Sequence, residues 1–408
     1  MKTSWKTENW YVSPWNYEGE VTKEFHPPGK VKIHDVTLRD GEQQAGIVFS
    51  KEDKIRIAEK LAEAGVHRIE AGMPAVSPQD EAAIKEIVKR ELGPEIFCFC
   101  RCMVDDVKRA VDCGVKGIVI EIPASAQLIE HAYKWPLEKA IDLSIKATRY
   151  AKEQGLYTVF FTIDGTRTDV NWLLDLVDRV SKEGHMDAFT LVDTFGVLSP
   201  QGASYFTKKV KERVSKPLEI HFHSDFGLGV ANTLMAVMAG AEVIHSTVTG
   251  IGERSGNAPM EETALALLTM YGINVGLDFS KLYELSRLVQ ERSGTAVPIN
   301  RPFIGEGAFQ IESGIVTGWY RNAYEKDPTW VYPVRPEFVG RKKPEILMGK
   351  KSGVDNIAIW ASRLGMTLTD EESLAVLQKV KSKAYELKRT LKESEFKKIV
   401  KEIKTGKK

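Results

Sequence analysis

The sequence predicts an α/β fold: a (β/α)8 TIM barrel followed by an irregular linker region and a small helical C-terminal region. Three observations lead there. From Lys30 onward, short apolar runs rich in β-formers alternate with segments of helical period. The alternation repeats eight times in about 245 residues, the size expected of such a barrel. The first strand-to-helix turn reads Arg39-Asp40-Gly41-Glu42-Gln43. It lacks the G-x-G-x-x-G that the runner-up, a doubly wound open sheet, would carry there.

The elements follow in order. Residues 1–30 form an aromatic N-terminal arm in which Trp5, Trp10 and Trp15, three of eight tryptophans, are joined by Tyr11 and Tyr17. Rings at that density need burial across the body of the chain or on a second subunit; a substrate lid is the alternative. Residues 31–275 form the barrel, with strands expected at 31–38, 68–72, 95–101, 117–122, 157–163, 188–192, 218–223 and 243–248. Amphipathic helices follow the strands, as at 51–64, 80–90 and 170–181, and Ser50 with Asp53 reads as a helix cap and its third-position acid. Residues 276–350 form a linker subdomain, where Pro298, Pro302, Pro328, Pro333, Pro336 and Pro344 interrupt any regular pattern. Residues 351–408 form a helical C-terminal subdomain. Thr369 and Glu372 make a capping-box pattern there, and Leu377, Val380, Ala384, Leu387 and Leu391 form one apolar stripe.

Composition excludes several classes of function. The 43% hydrophobic content is too high for a disordered chain, and a net charge of +1 gives no overall field for nucleic acid or an anionic membrane. That sum conceals a split: residues 379–408 hold twelve Lys+Arg against four Asp+Glu. Phe396, Ile399, Val400 and Ile403 lie at helical spacing within this tail, so it reads as an amphipathic helix docked on an acidic body. No run approaches the ~18 apolar residues of a membrane span, and the N-terminus has no apolar core of a signal peptide, which leads us to expect a cytoplasmic protein. Cys98, Cys100, Cys102 and Cys113 are bunched; their spacing suits one face of a strand and lacks the C-x-x-C of a zinc knuckle.

A barrel should carry its chemistry at the C-terminal ends of its strands. His221 and His223 meet that demand: two apart on a strand, they face the same side and offer half of a metal site, or else two histidines bonded to carboxylates. At the end of the first strand, Asp40 offers a hard oxygen ligand, and Arg39 a fork of donors suited to a carboxylate or an oxyanion. After the eighth strand, the glycines of 250–257 permit close backbone approach, and Asn257 could add an oxygen. In a closed barrel the first, seventh and eighth strands are neighbours, so Asp40, His221, His223 and Asn257 would meet at one mouth. Such an N2O2 set suits Mn2+, Mg2+, Zn2+ or Co2+ holding a chelating 2-oxo acid, with Arg39 stabilising the oxyanion.

The segments H-D-V-T-L-R-D-G-E-Q-Q (34–44), H-F-H-S-D-F-G-L-G-V-A-N-T (221–233) and G-I-G-E-R-S-G-N (250–257) resemble the barrel enzymes that include isopropylmalate, homocitrate and citramalate synthases. Hydroxymethylglutaryl-CoA lyase is a more distant relative. The resemblance implies condensation of an acyl-CoA, acetyl-CoA by family habit, with a metal-bound 2-oxo acid, followed by thioester hydrolysis. It implies Asp40, His221 and His223 as metal ligands with Asn257 in or near the shell, and Arg39 as the catalytic arginine. Gln43 falls on that arginine's partner, Thr194 on the threonine that holds the substrate carboxylate, and Arg254 on the arginine of G-E-R. The F-S-x-E segment of the family matches 161–164, which puts Thr162 at the substrate and Asp164 in place of a catalytic glutamate. It also implies a homodimer, acting on small molecules and not on nucleic acid or membranes.

The chain departs from the family in places. Ser224 and Thr249 replace asparagines, and Leu128 falls where a histidine is usual. The family segment F-x-H-E-S-G-I-H appears at 309–316 with Ile311 and Val316 in place of both histidines, leaving Glu312, Asp164 or a metal-bound water to replace the missing base, unless the reaction differs. Residues 246–258 hold no cysteine, whereas the lyases place a catalytic one there. Gly349-Lys350-Lys351-Ser352-Gly353 is not a phosphate loop, since Pro344 stands where that motif needs glycine. The leading expectation is therefore a condensing enzyme. A carbon–carbon lyase or aldolase is the alternative, and a non-catalytic metal- or ligand-binding relative the third.

Overall fold

Period-two alternation along the apolar runs produces eight parallel strands that close on themselves: β1 (Lys32–Asp35), β2 (Arg68–Glu70), β3 (Glu95–Arg101), β4 (Gly117–Pro123), β5 (Tyr157–Ile163), β6 (Ala188–Asp193), β7 (Leu218–Phe222) and β8 (Val243–Ser246). β1 pairs with β2 on one side and β8 on the other, with His34 opposite both Arg68 and His245. In this computed structural model, residues 5–406 are described. Contacts divide them into two units, residues 14–297 and residues 5–13 with 298–406. The arm expected over 1–30 is thus shared between the two.

In the first unit, helices return the chain between strands and start where the sequence caps them. Ser50 and Asp53 cap the helix Lys51–Glu63 reciprocally. Ser77 caps Pro78–Lys89, with proline in the first turn where no amide donor is needed, and Asp169 caps Val170–Glu183. On β3, Phe97 and Phe99 point inward and pack with Val119, Val159, Phe161, Ala188 and Val192. The intervening Cys98 and Cys100 are buried on the opposite face, and all four cysteines are free. The lower interior is polar and partly paired, with His34 Nδ1 and His245 Nδ1 buried without a partner. Arg68 bonds Glu219 at 2.7 Å, and His245 Nε2 lies 2.8 Å from Glu219. The Tyr17 hydroxyl donates to Thr269 O at 2.6 Å.

The second unit pairs β9 (Gln310–Ile311) with β10 (Glu345–Ile346) and stacks the helices Val354–Arg363, Asp370–Leu387 and Glu393–Lys404. Thr369 and Glu372 form the expected capping box. The basic tail is an amphipathic helix that buries Phe396, Ile399 and Val400 against Trp360, Val376 and Val380. Ile311 lies in this apolar core and Val316 packs against it, so both positions where the family carries histidine are used here for packing. Trp10 bridges to Val334 and its ring meets Phe338 at 5.8 Å. Among the described residues no helix is long and apolar enough to cross a membrane.

Candidate active site at the mouth of the barrel

The turn after β1 is built by its own polar side chains. Asp35 accepts from Thr37 N at 3.0 Å and from Thr37 Oγ1 at 2.9 Å. Thr37 Oγ1 in turn accepts from Val248 N at 2.9 Å, tying this turn to the one after β8. The chain therefore leaves β1 at Asp35, and Arg39 and Asp40 are delivered, nearly fully buried, over the barrel axis.

Asp40, His221 and His223 converge there. His221 Nε2 lies 3.3 Å from His223 Nε2 and 3.6 Å from Asp40 Oδ2. The three are buried, and their ligand atoms lie within 4.8 Å of one another. His223 Nδ1 lies 3.2 Å from Gly256 O; donating there leaves the Nε2 lone pair facing the centre. Burial pushes the His221 imidazole down to about 3, aided by His223 and Arg39 against the pull of Asp40, so the ring is neutral and its one lone-pair nitrogen is available to a cation. Two facing imidazole nitrogens beside a carboxylate form a poor set of hydrogen bonds and a good set of metal ligands, so these residues fit a divalent ion. Asn257 stands behind Asp40, donating from Nδ2 to Asp40 Oδ1 at 2.5 Å, while its buried Oδ1 has no partner. That approach requires glycine at 252. A Cβ there would collide with Asn257 Nδ2 and come within 2.8 Å of Asp40 Oδ1.

Arg39 is fixed on one side and free on the other. Its Nε donates to Glu70, and its Nη1 donates to Asp40 Oδ2 at 2.7 Å and Gln43 Oε1 at 3.2 Å. The guanidinium lies over Phe99, 4.0 Å from the ring centroid. Its buried Nη2 has no partner. Glu70, fully buried, also lies 3.3 Å from His34 Nε2. Burial alone would raise its carboxyl, but Arg39 and then His34 hold it down to about 2.

The other expected residues occupy three settings. Thr194 Oγ1 accepts from Asp164 N at 2.8 Å, and Arg254 donates to Thr194 O and, at 2.8 Å, to Asp225 Oδ1. Asp164 is clamped by Arg167 at 2.7 and 3.0 Å and by Ser125 Oγ at 2.7 Å. Thr162 is turned the other way. It follows inward-facing Phe161, its hydroxyl donates to Thr190 O at 3.3 Å, and it lies near Gly165 on the helix side. Glu312 belongs to the second unit, where it accepts from Lys351 N at 2.9 Å across the Gly349–Gly353 turn.

Two functional candidates were not read from the sequence: Glu70, which ends the short charged strand Arg68-Ile69-Glu70, and Glu121, the one acid in the otherwise apolar β4. Strand register was the signal that could have found them, since each shares a face with residues that must point inward.

A closed parallel barrel with a buried Asp–His–His group at its C-terminal mouth defines a class, and residues 30–289 match the HMGL-like family, so the chain belongs to it. It is 35% identical to a homocitrate synthase of Methanothermobacter thermautotrophicus over 97% of this chain and 98% of that protein. It is 37% identical to an (R)-citramalate synthase of Methanocaldococcus jannaschii over 92% of this chain and 75% of that one. Among solved structures, an HMG-CoA lyase of Bacillus subtilis superposes with a TM-score of 0.61 at 22% identity, covering 67% of this chain and 96% of the other, which speaks to the fold.

Proposed function

We propose that this enzyme condenses an acyl-CoA with a 2-oxo acid to give a 2-hydroxy di- or tricarboxylic acid and free CoA. The observation that supports this most is the pairing of a buried Asp40–His221–His223 group with an adjacent guanidinium whose Nη2 is unpartnered. Asp40, His221 and His223 would hold a divalent metal, with Asn257 orienting Asp40. When bound, the metal supplies Lewis acidity for polarising a keto group. Arg39, immobilised by Glu70 and Gln43, offers Nη2 to the oxyanion that forms when the keto carbon is attacked. Because the guanidinium is already fixed and desolvated, little reorganisation opposes that contact. Thr194 and Arg254 border the same mouth and bind the substrate carboxylate. A cavity of about 290 Å3 opens beside Arg39 and Gln43, walled by Leu38, Ile47, Met73 and Val76, with room for a small acyl group. The relatives at 35–37% identity, matched over 97% and 92% of this chain, support a synthase over the lyase alternative. Action in the cytoplasm as a homodimer belongs to the same proposal.

The test is release of free thiol from acetyl-CoA with pyruvate, 2-oxoisovalerate, oxaloacetate or 2-oxoglutarate, with and without Mn2+ or Mg2+. Metal-dependent release with one acid is expected. No release with any acid, together with cleavage of a hydroxyacyl-CoA or hydroxy diacid, would replace the synthase by the lyase.

A further inference from the structure

β4 is apolar except at its mouth end, where it reads Gly117-Ile118-Val119-Ile120-Glu121-Ile122-Pro123. Register sets Glu121 between Arg101 of β3 and Phe161 of β5. Alternation turns it inward, because Val119, two residues earlier on the same face, packs in the barrel interior with Phe97, Phe99 and Phe161. The Arg39 guanidinium lies 4.0 Å from the Phe99 ring and 5.8 Å from the Phe161 ring, which belong to the strands on either side of Glu121. The carboxylate therefore stands at the rim beside the reaction centre described above.

What separates Glu121 from the other carboxylates there is that it is uncommitted. Asp40 belongs to the metal group, and Glu70 is held by Arg39 and His34. Asp164 is clamped by Arg167 and Ser125. Arg101, the cross-strand neighbour of Glu121, gives its guanidinium to Asp106 through bonds of 2.8 and 2.9 Å. Glu121 is half-buried, and none of the described residues donates a hydrogen bond to its carboxylate, the bond from Cys102 N going to its backbone carbonyl.

Condensation requires a base, since the carbon beside a thioester becomes a nucleophile only after losing a proton. We propose that Glu121 is the general base that removes this proton from the acyl-CoA. The assignment rests on the condensation reading given above. In the step, the C–H electrons move into a C=C bond and the thioester carbonyl becomes an enolate oxygen, while the proton goes to Glu121. The enolate carbon then bonds to the keto carbon of the 2-oxo acid, and the keto π electrons become an alkoxide facing Arg39. The alkoxide takes a proton from water, Glu121 returns its proton to the hydroxide so formed, and a further water hydrolyses the thioester to a carboxylate, a proton and the CoA thiol. Burial pushes the Glu121 carboxyl up to about 7, against Arg39 and Arg101 and with a small further push from Asp106. Tyr133, from the loop after β4, also faces it, and Phe161 on the β5 side is uncharged. A carboxyl in that range is the tuned base that proton abstraction at neutral pH favours.

The test compares wild type with Glu121→Gln and Glu121→Asp in the CoA-release assay across pH, using the acid that supports turnover. Glu121→Gln is expected to lower kcat by about 10²- to 10⁴-fold with the 2-oxo acid KM little changed. Wild-type kcat should rise with pH through a value near 7, and the residual Glu121→Gln activity should lack that limb, while Glu121→Asp recovers part of the rate. A Glu121→Gln enzyme with wild-type kcat and pH profile overturns the assignment and leaves the condensation reading standing. A wild-type enzyme that releases no CoA with any of the four acids overturns the condensation reading and this assignment with it.

Discussion

Replacing Glu70 by Gln keeps the side-chain shape and an acceptor for Arg39 but removes the charge that Arg39 and His34 share. The size of the effect follows from the carboxyl itself. Glu70 is fully buried, and its titration falls from an ordinary 4.5 to about 2 on folding. At about 1.4 kcal/mol per pH unit that is roughly 3 kcal/mol in favour of the folded, ionised form. Breaking a buried ion pair from one side costs about 3–5 kcal/mol, which agrees. Because the folded value is depressed, this stabilisation is complete above 4.5 and is lost as pH falls toward 2. Thermal unfolding of wild type and Glu70→Gln at pH 7.5 should therefore differ by about 5 °C. The difference should shrink steadily in buffers between pH 4.5 and 3. Equal Tm values at pH 7.5, or a gap that does not narrow with acid, would refute the claim that Glu70 is a buried anchor for Arg39.

Other perturbations follow from the same geometry. Thr249 sits at φ +61, a left-handed conformation that a β-branched residue enters at a cost of about 1–2 kcal/mol. Thr249→Asn should raise Tm by about 2–4 °C in a scanning melt; an unchanged or lowered Tm would show that the position is relaxed. Arg39→Lys keeps a positive charge but cannot bond Glu70, Asp40 and Gln43 while offering a further donor. Steady-state kinetics should show kcat reduced about 10²- to 10³-fold, as for loss of one oxyanion donor. A variant with wild-type kcat would remove the guanidinium from the reaction.

The barrel was legible because its signal is distributed. Eight apolar runs separated by helical period leave few other ways to bury those faces, and β3 and β5 fall where the alternation put them, at 95–101 and 157–163. Strand ends were less legible where side chains rather than backbone decide them. β1 was expected to reach Leu38 but stops at Asp35, because Asp35 and Thr37 bond each other and turn the chain. The Asp40–His221–His223 cluster was legible because His221 and His223 lie two apart at the end of one strand and Asp40 lies in the turn that follows another. Glu70 and Glu121 were not, because a single acid near a strand end has meaning only once register shows which face it occupies. The same alternation turns Thr162 toward the helices while its neighbours Phe161 and Ile163 face the interior. The division of the aromatic arm depends on contacts far along the chain, such as Trp10 with Val334, which no local pattern encodes.

The claim on which the rest depends is that Asp40, His221 and His223 bind one divalent ion. Titration of the metal-free enzyme into Mn2+, followed by the electron paramagnetic resonance signal of the free ion, tests it directly. Wild type should remove one Mn2+ per chain, and the 2-oxo acid that supports CoA release should change the bound-ion spectrum. His223→Ala, once a melt has shown it folded, should leave the free signal unreduced. Uptake of Mn2+ by His223→Ala equal to that of wild type would contradict the account.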